Sequence, residues 1–303
     1  MAASEMVSGG PGSAILVGLI GAGIQASRTP AMHEREAAHH GLRYVYRLID
    51  LDRLGLSASA LDELVLAAER LGFAGLNITH PCKQAATRLV DFLSPDADAI
   101  GAINTIVFED GHRIGHNTDC SGFAESFRRE LPEVPRRHVV LLGAGGAGSA
   151  VGHALLQLGA GSIAVFDSAP GRAAALATQL EERHGHGRAT AVEDLRPPLR
   201  TADGLVNTTP VGMAKYPGMP VAANLLRPEL WVADIVYFPI RTELLRCAKQ
   251  RGCRIMTGAG MAVFQAADAF ALFTGRAPDA ERMRQYFDSA GDAPGARSGA
   301  TEA

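Results

Sequence analysis

Little in this chain of 303 residues points toward a membrane, a polyanion or an oxidising compartment. It has only four cysteines, Cys82, Cys120, Cys247 and Cys253, and none of their spacings resembles a metal-binding pair. So few thiols in so long a chain read as free thiols of a reducing cytosol, which excludes a disulfide framework and a zinc module. No apolar run is long enough to span a bilayer. Charge is nearly balanced, 29 Lys and Arg against 32 Asp and Glu, and no basic block is present. Nucleic acid and anionic membranes are therefore excluded as partners on charge, which leaves small molecules. Residues 1–12 lack the basic-then-apolar order of a secretory signal and read as a disordered lead-in. Residues 290–303 are mostly Gly, Ala, Ser and charge and read as a disordered tail. There is no internal repeat.

What is present is organised around the stretch from His138 to Asp167. A β-branched run, His138-Val-Val-Leu-Leu142, enters Gly143-Ala144-Gly145-Gly146-Ala147-Gly148, a helical pattern leaves it, and a second apolar run ends at Asp167. Strand, glycine turn, helix and strand closed by a carboxylate is the order of a dinucleotide-binding unit. Gly143 permits the tight turn, Gly145 lets backbone approach a pyrophosphate, and Gly148 lets the helix pack close on the strand. The helix N-terminus supplies free N–H groups and a positive dipole to the phosphates.

In chain order, Ile15 to Ile20 reads as a strand, followed by polar Gln25 to Pro30 and a helix from Ala31 to His40. Ser27 and Thr29 suit either capping of that helix or binding of a small anion. Tyr44 to Ile49 and Phe73 to Ile78 are strands, with a helix opening near Ser59 between them. After the third strand, Pro81 can begin a helix from Gln84 to Phe92, which puts Lys83 in a first turn. The dipole there disfavours a cation, so Lys83 needs a carboxylate partner or a depressed pKa. Ala102 to Phe108 and His112 to His116 form a hairpin around Asp110-Gly111. Asn104-Thr105 and Asn117-Thr118-Asp119 lie at the ends of its arms, and a helix starts at Ser121. Beyond Asp167, strands near Ala189, at Asp203–Val206, at Trp231–Val236 and at Arg254–Met256 alternate with helices. The last helices run from Met261 to Thr274 and from Asp279 to Ser289. Strands that alternate with helices and end in small or polar residues predict an α/β fold with ligands at the carboxyl ends of the strands.

The motifs together resemble the shikimate/quinate dehydrogenases. They are Ser27-Arg-Thr-Pro-Ala-Met-His33, Gly75-Leu-Asn-Ile-Thr-His-Pro-Cys-Lys83, Gly101-Ala-Ile-Asn-Thr105, Gly115-His-Asn-Thr-Asp119, Gly143-Ala-Gly-Gly-Ala147, Asn207-Thr-Thr-Pro-Val-Gly-Met213, Asp234-Ile-Val-Tyr237 and Gly258-Ala-Gly-Met-Ala-Val-Phe-Gln265. The resemblance implies two domains. An N-terminal α/β substrate domain takes residues 13–122 and 262–289, and a C-terminal Rossmann domain with a doubly wound parallel sheet takes 123–261. The last helices return to the first domain. It implies Lys83 and Asp119 as the catalytic pair and Ser27 and Thr29 at the substrate carboxylate. Thr79, Lys83, Asn104, Asp119 and Gln265 would bind the ring hydroxyls, with Tyr237 nearby. Around the cofactor it implies the glycine loop, Asp167, Arg172, Thr208, Pro210, Met213, Val236, Gly258 and Met261, with no metal. Such an enzyme is expected in the cytoplasm as a monomer or homodimer. Cys82 and Cys120 flank the catalytic residues and read as passengers.

Two departures narrow the expectation. The biosynthetic shikimate enzymes commonly carry Ser-x-Ser before the proline, whereas Ser27-Arg28-Thr29 looks like the members that use quinate as well. NADP-dependent members usually follow the second Rossmann strand with Asn-Arg-Thr, where this chain has Asp167-Ser-Ala-Pro. A carboxylate accepts from a ribose 2′-OH and repels a 2′-phosphate, so NAD is expected. Arg172 is the counter-signal. The alternatives are a biosynthetic NADP-dependent shikimate dehydrogenase, a dehydrogenase of a related acid such as aminoshikimate, and a non-catalytic sensor.

Overall fold

The computed structural model describes residues 14–289, so the expected lead-in and tail lie outside the described residues. The chain runs β1 (Ile15–Gly21), α1 (Thr29–His39), β2 (Tyr44–Asp50), α2 (Leu51–Leu54), α3 (Leu61–Arg70), β3 (Gly75–Ile78), β4 (Phe92–Leu93), α4 (Pro95–Ile100), β5 (Thr105–Glu109), β6 (His112–His116) and α5 (Thr118–Glu130). It continues with β7 (His138–Leu142), α6 (Gly146–Gln157), β8 (Ser162–Phe166), α7 (Arg172–His184), β9 (Ala189–Ala191), α8 (Arg196–Thr201), β10 (Gly204–Asn207), β11 (Trp231–Asp234), α9 (Glu243–Gln250), β12 (Arg254–Met256), α10 (Gly258–Thr274) and α11 (Ala280–Ser289).

The strands form two sheets of six, ordered β2-β1-β3-β5-β6-β4 and β12-β11-β10-β7-β8-β9. The second is parallel throughout. Its order is that of a doubly wound dinucleotide fold, with the reversal between β7 and β10. In β7, Val139 and Leu141 face one buried cluster with α5, α6 and α7, while Val140 and Leu142 face another with α8 and α9. Burial on both faces is why this strand reads as an unbroken apolar run. In the first sheet β5 runs antiparallel to both β3 and β6. Asp110 and Gly111 adopt φ of +50° and +76° in the turn between β5 and β6, the left-handed pair that a tight hairpin requires.

Two long helices join the sheets. α5 starts at the edge of the first sheet and buries Phe123 and Phe127 against the second, where Phe127 meets Trp231 edge-on at 5.1 Å. α10 packs along α5 and also touches α1, α11 and β5. The expected domain boundaries at 122/123 and 261/262 fall inside these continuous helices.

Three expectations need correction. The helix expected from Gln84 to Phe92 is a 3-10 turn, Ala85–Leu89, followed by extended Val90, β4 and α4. The β-branched Thr87 and Val90 favour that break, and Ser94 restarts a helix by capping Ala97 N. Lys83 therefore precedes a 3-10 helix and does not occupy an α-helical first turn. Secondly, α5 begins at Thr118 and not at Ser121, because the Asn117 side chain accepts from Asp119 N and Cys120 N. Thirdly, Gly258 and Gly260 lie within α10. A Cβ on Gly258 would stand 2.3 Å from Ile235 O, and one on Gly260 would stand 2.1 Å from Ser126 Oγ, so these glycines serve close packing against α5 and β11's exit.

His33 sits in the core between α1, β2 and α10. Its Nδ1 meets the Tyr44 hydroxyl at 2.9 Å, and its Nε2 has no hydrogen-bond partner. Burial pushes its pKa down to about 3. The unfolded chain therefore binds a proton that the native state refuses. This contribution to stability is complete above about pH 6.5 and is lost as pH falls toward 3. In urea titrations from pH 6.5 to 4, wild-type stability should fall more steeply than that of His33→Phe, by up to about 1.4 kcal/mol per pH unit. Equal slopes would contradict the assignment.

Candidate active site

Strand direction explains why distant segments meet. β1 and β3 are parallel, and β6, two antiparallel steps from β3, runs with them. The residues after β1, after β3 and after β6, and those just before β5, therefore share one edge of the first sheet. These are Ser27–Thr29, Thr79–Lys83, Asn117–Asp119 and Asn104. The glycine loop closes on the same edge from the second sheet. A Cβ on Gly146 would lie 3.4 Å from Lys83 Cβ and 3.6 Å from Ala102 Cβ.

Lys83 Nζ donates to Asp119 Oδ2 in an ion pair whose side chains are 18% and 7% exposed. Asp119 stands in the first turn of α5, where the helix dipole favours a carboxylate. The helix start expected at the lysine belongs instead to its partner. Asn117 fixes this terminus, and its Nδ2 also donates to Ala102 O at 2.8 Å. Asn104 is buried and largely occupied. Its Oδ1 accepts from Thr118 N at 2.8 Å and its Nδ2 donates to Thr118 Oγ1 at 2.9 Å. One amide hydrogen remains for a ligand.

The other expected substrate residues have partners of their own. Arg28 is the N-cap of α1 with no side-chain capping bond, and Ser27 Oγ accepts only a long bond, 3.4 Å, from Thr29 N. Neither hydroxyl is committed to capping. Thr79 packs its methyl over Gly21, where an added Cβ would stand 2.3 Å from it. Gln265, half-buried on α10, donates to Ala262 O at 3.0 Å and presses on Gly122 of α5. Tyr237 is 41% exposed. Crowding by protein raises its phenol above the ordinary value, the Asp119 carboxylate adds to the rise, and Arg28 opposes it. The thiols of Cys82 and Cys120 are buried, and burial lifts Cys120 to about 12, with Asp96 and Asp119 adding to it.

The dinucleotide cradle has the shape its glycines require. Gly143 takes φ +96°, and a Cβ on Gly148 would stand 2.0 Å from Gly143 O. Gly145 is the N-cap of α6 with no side-chain bond, and open space lies where its Cβ would be. The free N–H groups of Gly146 and Ala147 at this helix start therefore fit a pyrophosphate. Thr208 Oγ1 donates to Leu142 O at 2.7 Å, which braces the turn where the strand order reverses. Asp167 accepts from Ala144 N at 2.7 Å and Ala169 N at 2.8 Å, so it ties the loop to the end of β8. Arg172 is exposed at the start of α7, and Pro210 and Met213 are exposed on the loop after β10. Val236, Gly258 and Met261 lie in the interior and present no exposed side chain.

Two polar networks carry these loops and were not singled out from sequence. Tyr46 OH donates to Asn77 Oδ1 at 2.6 Å, and Asn77 Nδ2 donates to Thr105 Oγ1 at 3.0 Å, beneath Asn104. On the second sheet, fully buried Asp234 accepts from Asn207 Nδ2, Val236 N and Thr242 Oγ1 at 3.0, 3.0 and 2.7 Å. Burial raises Asp234 to about 6 against these bonds. The signal was available, since Asn77, Asn207 and Asp234 are polar residues inside or ending otherwise apolar strands.

Residues 19–106 match the shikimate dehydrogenase substrate binding domain, and residues 258–285 match the shikimate 5′-dehydrogenase C-terminal domain. A shikimate dehydrogenase (NADP(+)) of Streptomyces avermitilis is 60% identical over 270 residues, which are 88% of this chain and 93% of that one. The chain belongs to the shikimate dehydrogenase family. A quinate/shikimate dehydrogenase (NAD(+)) of Corynebacterium efficiens is 47% identical, across 90% of this chain and 97% of that one. The structure of a quinate dehydrogenase from Corynebacterium glutamicum in complex with NAD superposes with a TM-score of 0.84 at 47% identity. It covers 91% of this chain and 99% of that one. The protein is thus an enzyme of the shikimate/quinate dehydrogenase type with a pyridine nucleotide as cofactor.

A methyl group at Gly148 would collide with Gly143 O, so Gly148→Ala should push α6 off the turn. Fluorescence titration with reduced dinucleotide should show affinity weakened by about tenfold or more, for a cost of about 1–3 kcal/mol. An unchanged dissociation constant would contradict the close-packing role.

Proposed function

We propose that this enzyme is an NAD-dependent quinate/shikimate dehydrogenase. It would oxidise the C3 hydroxyl of quinate to 3-dehydroquinate and that of shikimate to 3-dehydroshikimate, reversibly. The observation that carries the reading is the Lys83–Asp119 ion pair at the meeting point of both sheets, against the glycine loop. Residues 13–122 with 262–289 would form the substrate domain and 123–261 the dinucleotide domain, with α5 and α10 common to both.

Oxidising a secondary alcohol removes a hydride and a proton. The bound nicotinamide supplies the hydride acceptor. Lys83 manages the proton, as amine when the alcohol is oxidised and as ammonium when the ketone is reduced, and Asp119 holds its Nζ in place. Ser27 and Thr29 would bind the carboxylate, and Thr79, Asn104 and Gln265 the ring hydroxyls. The methyl of Thr29 restricts its rotamers and reshapes the carboxylate end relative to a serine.

The preference for NAD rests on Asp167. A carboxylate anchored by two backbone N–H groups at the end of β8 cannot swing away from a 2′-phosphate. The second reading, NADP, is favoured by Arg172, which makes no ion pair among the described residues, and by the relative at 60% identity. Measuring kcat/KM for shikimate and quinate with each cofactor separates the readings. NAD should win by at least about tenfold with either acid. A preference for NADP would overturn the Asp167 argument, and no turnover of quinate would overturn the Thr29 argument.

For Lys83→Ala, kcat should fall by about 10²–10⁴ while KM for the acid changes little, because proton transfer is a transition-state role. A rise in KM alone would make Lys83 a binding group and move the base elsewhere.

A further inference from the structure

In sequence Arg28 stands between Ser27 and Thr29, the two residues assigned to the carboxylate. It is the N-cap of α1, where a cation faces the positive end of a helix dipole. Among the described residues it makes no ion pair that would offset this. Its Nη1 donates instead to Phe287 O at 2.8 Å, and its Cζ lies 4.9 Å from the centroid of the Phe287 ring. Phe287 is 1% exposed and fixed in the cluster shared by α1, α10 and α11. Tyr237 meets the same ring edge-on, 6.1 Å between centroids. Arg28 and Tyr237 therefore stand against one and the same ring, and Tyr237 is among the residues assigned to the substrate.

The charge balance there is informative. Lys83 is already neutralised by Asp119, so the catalytic pair offers an anionic acid no net attraction. The uncompensated positive charge stands at the other end, where the start of α1 and the guanidinium coincide. An anion there would offset both unfavourable terms.

We propose that Arg28, held by the carbonyl and ring of Phe287, determines specificity for substrates that carry a carboxylate, supplying the unbalanced positive charge at the Ser27–Thr29 end of the pocket. This rests on the assignment of Ser27 and Thr29 to the substrate carboxylate. Arg28 adds to the hydroxyl contacts a charge of fixed position, because its guanidinium is both stacked and hydrogen-bonded. A lysine would keep the charge and lose the planar fork that fits this seat. α11 then has a task at the active site: it places the charge through Phe287.

The test compares kcat/KM for shikimate with that for its uncharged methyl ester, in wild type, Arg28→Ala, Arg28→Lys and Phe287→Leu, at low and high salt. The acid-to-ester ratio should fall about tenfold in Arg28→Ala, equivalent to about 1.4 kcal/mol, and only partly in Arg28→Lys and Phe287→Leu. Far-UV circular dichroism that matches wild type in Arg28→Lys guards against misfolding. Raising salt should lower the ratio in wild type and leave it flat in Arg28→Ala. An unchanged ratio in Arg28→Ala overturns the proposal, as does an equal loss for acid and ester, which is the mark of a packing role. If the wild type turns over neither compound, the substrate assignment itself falls and takes this proposal with it. If the wild type favours the acid and Arg28→Ala keeps that preference, only the role of Arg28 falls.

Discussion

The contact between Lys83 and Asp119 places the heaviest demand on the fold. Both side chains are mostly withdrawn from water, so each loses hydration that its partner must in large part offset. Such a pair persists only if both ends are held. Lys83 is held by the turn after β3, where its carbonyl accepts from Ile103 N at 3.1 Å. Asp119 is held by the capped start of α5. The strand directions of the first sheet put both at one edge, and the Asn77, Asn104 and Asn117 bonds keep that edge from fraying. Removing Asp119 would leave the part-buried Lys83 without its counter-charge, and removing Lys83 would leave Asp119 only the dipole of α5.

A second constraint is close approach. Gly146 brings the dinucleotide helix to within van der Waals reach of Lys83, Gly148 seats that helix on its turn, and Gly258 and Gly260 let α10 lie against β11's exit and α5. Ser149 Oγ donates to Ile100 O at 2.6 Å and Gln179 Nε2 to Ala99 O at 3.0 Å, so α6 and α7 grip α4 of the first sheet's layer. The cofactor cradle and the ion pair are thus set relative to each other by close backbone approach at the glycines and by side chains of α6 and α7 that reach α4. Hydride transfer needs this arrangement, since its rate depends on sub-ångström placement of two ligands.

Much of this was legible in the sequence because the signals were periodic or compositional. The Rossmann half announced itself through β7, its glycines and Asp167, and the hairpin through Asp110-Gly111. The motifs that carry the family resemblance contain the candidate site residues except Gly148, Asp167 and Arg172. What stayed hidden were local contests that neighbours decide. A proline after a strand suggested a helix at Gln84, but β-branched residues and a restart at Ser94 gave a 3-10 turn and a two-residue strand. The sequence starts that helix at Met261 and not at Gly258, because the partners that require the two glycines, Ile235 O and Ser126 Oγ, are distant in sequence. Asp234 and Asn77 were passed over because a single polar residue in a strand gives no hint of its bonding partners. The odd position suspected for Lys83 was wrong in its helix, yet a carboxylate partner was the right requirement.

The most direct test of the central claim, that Lys83 moves the proton, is chemical rescue of Lys83→Ala by added primary amines of graded basicity. If the lysine transfers the proton, kcat for shikimate oxidation should rise with amine concentration, and the slope should follow amine basicity. A kcat that no amine changes, with the defect confined to KM for the acid, would contradict the account and leave Lys83 as a substrate contact alone.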